Sequence, residues 1–243
     1  MDLKAKDRII VALDLDDHVT IDKHIVELRE HVGMFKLGLE AIHALGTSFV
    51  KAVAEHLDVR VFIDCKLHDI PETMRKSARQ VVGHNILFYN VHASAGEKGI
   101  KAAAEAKGES KLLAVTLLTS HSADDVAQIY NADHVERKVV SLAVMAMRSG
   151  ADGIICSPKE IKALRENPAT KNALLVTPGV RPTWAAANDQ KRVLTPKEAI
   201  ADGADYLVIG RPILQPPEGI PSRMAADMIA DEIAEALAAK AVP

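Results

Sequence analysis

The 243-residue sequence predicts an α/β fold, a (β/α)8 barrel forming a single domain over 1–243. Three observations predict it. Eight short apolar runs recur along the chain, stretches of helical spacing separate them, and the average unit is about 30 residues, the size of one strand with its helix. Barrels of this type take about 250 residues, so the length suits one barrel.

The runs are 9–13, 34–39, 59–63, 86–91, 111–118, 153–156, 173–176 and 206–209. Each is rich in Leu or β-branched residues. None alternates with polar residues, as expected of parallel strands buried on both faces. Between the first two runs, 19–32 sets Ile21, Ile25, Val26 and Leu28 roughly along one helical face. Segments 72–83, 97–107, 134–149 and 222–240 read the same way. Pro158 and Pro196 each follow a Ser or Thr, the pattern of a helix cap and first turn. Eight units favour closure of the sheet over an open, doubly wound one. The stretch 177–195 is long, aperiodic and rich in Pro and Gly. In a barrel it would follow strand seven at the C-terminal face, where active sites sit.

Composition narrows the function. Apolar residues are 48% and charged residues 26%, which suits a packed core and not a disordered chain. The net charge of −3 shows no basic excess for a polyanion, and 3% aromatics argue against a base-stacking platform. No nucleic-acid partner is therefore expected. No run reaches the roughly 18 uncharged residues of a membrane span. The Ala-rich stretch 224–239 is broken by Asp227, Asp231, Glu232 and Glu235. Two cysteines, Cys65 and Cys156, are too few for a disulfide framework and suit a reduced, cytoplasmic protein.

Charge placed inside apolar strands points to the site. Asp64 and Lys66 stand two apart on the third run, so they point to one side while Ile63 and Cys65 point to the helices. An isolated D-x-K reads as a solvated salt bridge. Here the charges end an apolar strand, where burial is costly unless they are paired. Lys36 lies within the second run, either in the same array or snorkelling to water. Asp14 ends the first run, and a cap or turn role fits it equally. Asp69 follows in the loop after Lys66. Two Asp and two Lys can form an alternating network in which each charge is offset by its neighbours.

Two segments suit an anion. Gly179 and Arg181 follow strand seven, and Gly210 and Arg211 end strand eight. Barrel enzymes often bind phosphate there: glycine admits backbone N–H groups and Arg supplies a planar fork. Gln190, in the long loop, can close over such a phosphate. Thr116, Thr119 and Ser120 put hydroxyls near the end of strand five, where they read a ligand edge or cap the next helix. His92 reads as structural and Cys65 as core. Neither a metal-ligand motif nor a Walker or G-x-G-x-x-G loop is present.

Together these segments resemble the orotidine 5′-phosphate decarboxylase family. The resemblance runs from about residue 8 to 237. It is carried by ALD at 12–14, FKLGLE at 35–40, FIDCKLHDIPET at 62–73, VHASAG at 91–96, VTLLTS at 115–120, VTPGVRP at 176–182 and DYLVIGRPI at 205–213. No position that the family uses for chemistry departs from its pattern. The resemblance implies cofactor-free, metal-free conversion of orotidine 5′-monophosphate to UMP, with loss of CO2 from C6, in de novo pyrimidine synthesis. It implies Lys66 as proton donor to C6, Asp64 beside the departing carboxylate, and Lys36 and Asp69 completing the array. It also implies a homodimer with shared sites, in which Asp69, Ile70 and Thr73 enter the neighbouring pocket. Asp14 and Lys36, with Thr73 of the other chain, would hold the ribose. Thr119 and Ser120 would lie by the base, and Arg181, Gln190, Gly210 and Arg211 would hold the phosphate. Two other readings stay open: a metal-dependent sugar-phosphate decarboxylase or aldolase sharing D-x-K-x-x-D, and a non-catalytic nucleotide-phosphate sensor.

Overall fold

Alternating strands and helices close on themselves. The computed structural model describes residues 3–185 and 194–241. Eight parallel strands pair in sequence order, and the eighth returns to the first. They are β1 (Ile9–Leu13), β2 (Met34–Leu37), β3 (Val61–Leu67), β4 (Ile86–His92), β5 (Lys111–Val115), β6 (Gly153–Ile155), β7 (Leu174–Pro178) and β8 (Tyr206–Ile209). The helices outside them are α1 (His18–Leu28), α2 (Leu39–His56), α3 (Pro71–Val81), α4 (Gly96–Ala104), α5 (Ala123–Tyr130), α6 (Val135–Arg148), α7 (Ile161–Glu166), α8 (Pro196–Asp202), α9 (Arg211–Leu214) and α10 (Ser222–Ala241).

Strand periodicity sorts the core into two shells. Ile9, Val11 and Leu13 of β1, with Ile63 of β3, point outward and pack with the helices. Ile10 and Ala12, Met34, Phe62, Phe88, Leu113, Val176, Tyr206 and Val208 point inward and fill the barrel. Phe88 meets Phe62 and Tyr206 edge-on, at centroid distances of 6.0 and 5.2 Å. This aromatic layer closes the interior. Residues two further along the same strands stand one layer above it, at the C-terminal end.

Several boundaries differ from the sequence expectation. β2 stops at Leu37 because Gly38 caps α2, and β5 stops at Val115, so Thr119 and Ser120 lie in the following loop. β3 starts later and runs further, carrying Asp64 and Lys66 within the strand. In α1 the buried face is Ile21, Ile25 and Leu28, while Val26 is 57% exposed and does not belong to it. Val26 is one step on from Ile25, about 100° round the helix, and so turns to solvent. The start of α8 follows expectation: the Thr195 hydroxyl accepts from the Glu198 N–H, and the Glu198 carboxylate accepts from the Thr195 N–H.

Candidate active site

The C-terminal mouth of the barrel opens into a cavity of about 410 Å³. That is large enough for a small-molecule ligand. Its floor and one wall carry charge. Lys36 stands two residues beyond Met34 on β2, and Asp64 two beyond Phe62 on β3, so both rise from the aromatic layer into the cavity.

These side chains form one chain of alternating sign. Lys36 Nζ donates to Asp14 Oδ1 at 2.8 Å and lies 3.1 Å from Asp64 Oδ2. Lys66 Nζ donates to Asp64 Oδ1 at 2.5 Å. Lys36 and Asp64 are each 8% exposed, so the pairing offsets a large desolvation cost. Burial alone would favour neutral Asp64. The attraction of Lys36 and Lys66, with hydrogen bonds from Lys66 and Asn90, outweighs it and holds the carboxyl down to about 2. Burial likewise disfavours the Lys36 ammonium, but Asp64 and Asp14 overcome it and its pKa rises. Asp64 and Lys36 are therefore both charged at neutral pH.

Gly38 explains how α2 begins so close to these groups. A Cβ there would sit 3.2 Å from Lys36 Nζ and 3.3 Å from Asp14 Oδ1, so any side chain would press on the pair. Across the barrel, β7 and β8 present Gly179, Arg181, Gly210 and Arg211 to the same cavity. Gly179 has φ +82°, a backbone conformation that favours glycine. Arg181 is 7% exposed, and its backbone N–H donates to Leu194 O at 3.0 Å. That bond and the bridge between Val180 and Leu194 tie the two described ends of the long loop together.

The structure thus gathers Asp14, Lys36, Asp64, Lys66, Thr119, Arg181, Gly210 and Arg211 around one cavity. Ser120 is exposed and does not line it. Asp69, Ile70 and Thr73 are also exposed and do not line the cavity of their own chain. Asp69 Oδ1 accepts from the Ile70 N–H at 2.7 Å, and Ile70 is 66% exposed. Gln190 lies outside the described residues. His92 is half-buried; burial first, then His68 and Lys66, lowers its pKa, which suits a neutral structural role. Cys65 packs on the helix side as expected, and burial pushes its thiol up to about 11.

Sequence reasoning missed Asn90. It is wholly buried, lines the cavity, and bonds to both Asp64 and Lys66. A usable signal was present. Asn90 lies two beyond Phe88 on β4, as Asp64 lies two beyond Phe62 on β3, so the inward period already assigned it to the charged layer.

A closed parallel barrel with its charged cavity at the C-terminal mouth defines an enzyme of the (β/α)8 class. The model of the orotidine 5′-phosphate decarboxylase / HUMPS family matches residues 7–220. The orotidine 5′-phosphate decarboxylase of Trichlorobacter lovleyi is 42% identical over 237 residues, covering 95% of this chain and 96% of that protein. The corresponding protein of Geobacter sulfurreducens is 40% identical over 237 residues, covering 95% and 97%. The crystal structure of orotidine 5′-phosphate decarboxylase from Lactobacillus acidophilus superposes with a TM-score of 0.78 at 36% identity, covering 93% of this chain and 98% of that one. The chain belongs to the orotidine 5′-phosphate decarboxylase / HUMPS family.

Proposed function

We propose that this barrel decarboxylates orotidine 5′-monophosphate to UMP, a step of pyrimidine synthesis, and that the charged array does the chemistry. One observation carries the reading. A buried Lys36–Asp64 pair, extended by the exposed Asp14 and the half-buried Lys66, faces, across one cavity, the glycine and arginine pairs of the β7 and β8 ends.

In the reaction the bond from C6 to the carboxylate breaks, CO2 departs, and its electron pair stays on C6. Lys66 donates a proton from Nζ to C6, giving UMP, and the amine regains a proton from solvent. The ammonium also stabilises charge as it develops at C6, and because Asp64, itself paired with Lys36, holds it in place little reorganisation is needed. Asp64 is the group set beside the substrate carboxylate. Lys36 and Asp14 hold ribose hydroxyls, Thr119 reads the base, and Arg181, Gly210 and Arg211 hold the phosphate. Phosphate binding far from C6 supplies energy for orientation there.

Asp69, Ile70 and Thr73 suit service in a second copy's pocket: they follow β3 directly, are exposed, and lie off their own cavity. The working unit is then a homodimer with shared sites. No cofactor, nucleic acid or membrane enters this scheme. Among the described residues no helix is long and apolar enough to cross a membrane. Two unbridged cysteines suit the reducing cytoplasm.

A metal-dependent sugar-phosphate reaction needs carboxylate oxygens open to the ion. Both Asp64 oxygens here engage lysine ammonium groups, which favours the decarboxylase. The test follows orotidine 5′-monophosphate by ultraviolet absorbance with chelator present, and identifies UMP by chromatography. Turnover unchanged by chelator is expected. No turnover, or turnover restored only by a divalent cation, would contradict the reading.

A further inference from the structure

We infer that Asn90 is a positioning residue that holds Lys66 and Asp64 in their reactive arrangement; this rests on the decarboxylase reading above. The need for such a residue lies in the β3–β4 ladder. Ile63 pairs with Tyr89 and Leu67 with Val91, so Asp64, Cys65 and Lys66 together lie against Asn90 alone. Two extra residues on β3 break the regular ladder where the charged groups sit. Lys66 takes φ +48° there, a conformation uncommon for a side chain without special support.

The Asn90 side chain replaces what the ladder loses. Its Oδ1 accepts from the Lys66 backbone N–H at 2.7 Å, and its Nδ2 donates to Asp64 Oδ1 at 2.6 Å. The amide orientation follows from chemistry, since a backbone N–H can only donate and an ionised carboxylate can only accept. The Asn90 backbone carbonyl also accepts from Cys65 Sγ at 3.4 Å. One fully buried side chain therefore fixes the backbone of the lysine and the carboxylate that its ammonium meets. Few residues can do this. Leu has the shape without the polar atoms, Gln is one methylene longer, and ionised Asp accepts twice and donates nothing.

Asn90→Asp makes a specific probe. While its new carboxyl is protonated, a carbonyl accepts from Lys66 and a hydroxyl donates to Asp64, so the variant copies the amide. Once ionised, that carboxylate repels Asp64. The charged or titratable groups facing the position are Asp64, Cys65 and Lys66 on β3, Lys36 behind Asp64 on β2, and His92 further along β4. The facing residues of β5, Leu112 to Ala114, carry none.

The experiment measures kcat and KM for orotidine 5′-monophosphate across pH, with UMP affinity and melting temperature, for wild type, Asn90→Ala and Asn90→Asp. Losing a hydrogen bond to a charged group costs about 10- to 100-fold. Asn90→Ala should lose that factor in kcat while UMP affinity stays within about threefold. Asn90→Asp should approach wild type at low pH and fall as pH rises, a limb the wild type lacks. Folded Asn90→Ala with kcat within about twofold of wild type, or a loss confined to KM, would overturn the inference. If Asn90→Ala does not fold, Asn90→Asp decides, and a profile parallel to wild type would overturn it. Absent wild-type turnover would count against the decarboxylase alone. The crystal structure of Asn90→Ala or Asn90→Asp then decides: Lys66 leaving positive φ supports the clamp, and an unmoved Lys66 and Asp64 overturn it.

Discussion

At the scale of single residues the buried pair of the site, Asp64 and Lys36, is held in its charged form by its own neighbours. Asp64 ionises at about 2 in the folded chain against 3.8 for an ordinary aspartate. Its contribution to stability is therefore present above about pH 4 and is lost as pH falls through 2. Lys36 has the opposite sign: its raised pKa gives a contribution complete below 10.5 and lost as pH rises beyond. Carboxyl-carbon NMR, assigned with Asp64→Asn, should find no Asp64 titration above pH 4, and a midpoint near 5 would contradict the network. Within this array Lys66 is the group proposed to move a proton. Lys66→Ala should lower kcat at least about 10⁴-fold while still binding UMP, since it loses both proton transfer and charge stabilisation. Substantial turnover in the purified variant would end the proton-donor assignment. The sequence made Asp64, Lys66 and Lys36 legible because charge inside an apolar strand is costly. It left Asn90 unread because a neutral amide carries no such alarm.

At the scale of elements the barrel depends on where side chains are missing as well as present. Gly153 opens β6, and a Cβ there would come 2.5 Å from Leu174 O and 2.7 Å from Leu174 Cβ on β7. The neighbour is partly backbone and cannot step aside. Gly153→Ala should cost about 1–3 kcal/mol, as overpacking does, and lower the melting temperature by roughly 2–4 °C per kcal/mol. A melting temperature within 1 °C of wild type would mean that β6 and β7 separate more easily than this packing implies. All eight strands were legible because each is an apolar run buried on both sides. Their ends were less so. The bulge of β3 against Asn90 has no local sequence signature, since register is a relation between two strands. The inward placement of Val26 failed because spacing alone did not fix the centre of the buried face of α1.

At the scale of the molecule, the proposed site takes most of its residues from one chain and the remainder from the surface of a second copy. Asp69 stood out beside Lys66 in the sequence, but its proposed reach into a second copy, with Ile70 and Thr73, was legible only through resemblance, because nothing local marks an exposed loop as an interface. The central claim is that orotidine 5′-monophosphate is decarboxylated in a pocket taking Lys66 from one chain and Asp69 from its partner. Mixing and refolding Lys66→Ala with Asp69→Ala tests it most directly. Neither variant alone should be appreciably active. Random pairing makes about half the dimers heterodimers, each with one intact and one doubly altered pocket under two-fold symmetry. Activity on orotidine 5′-monophosphate should return to about a quarter of wild type. No recovery, with heterodimers shown to have formed, would contradict the claim.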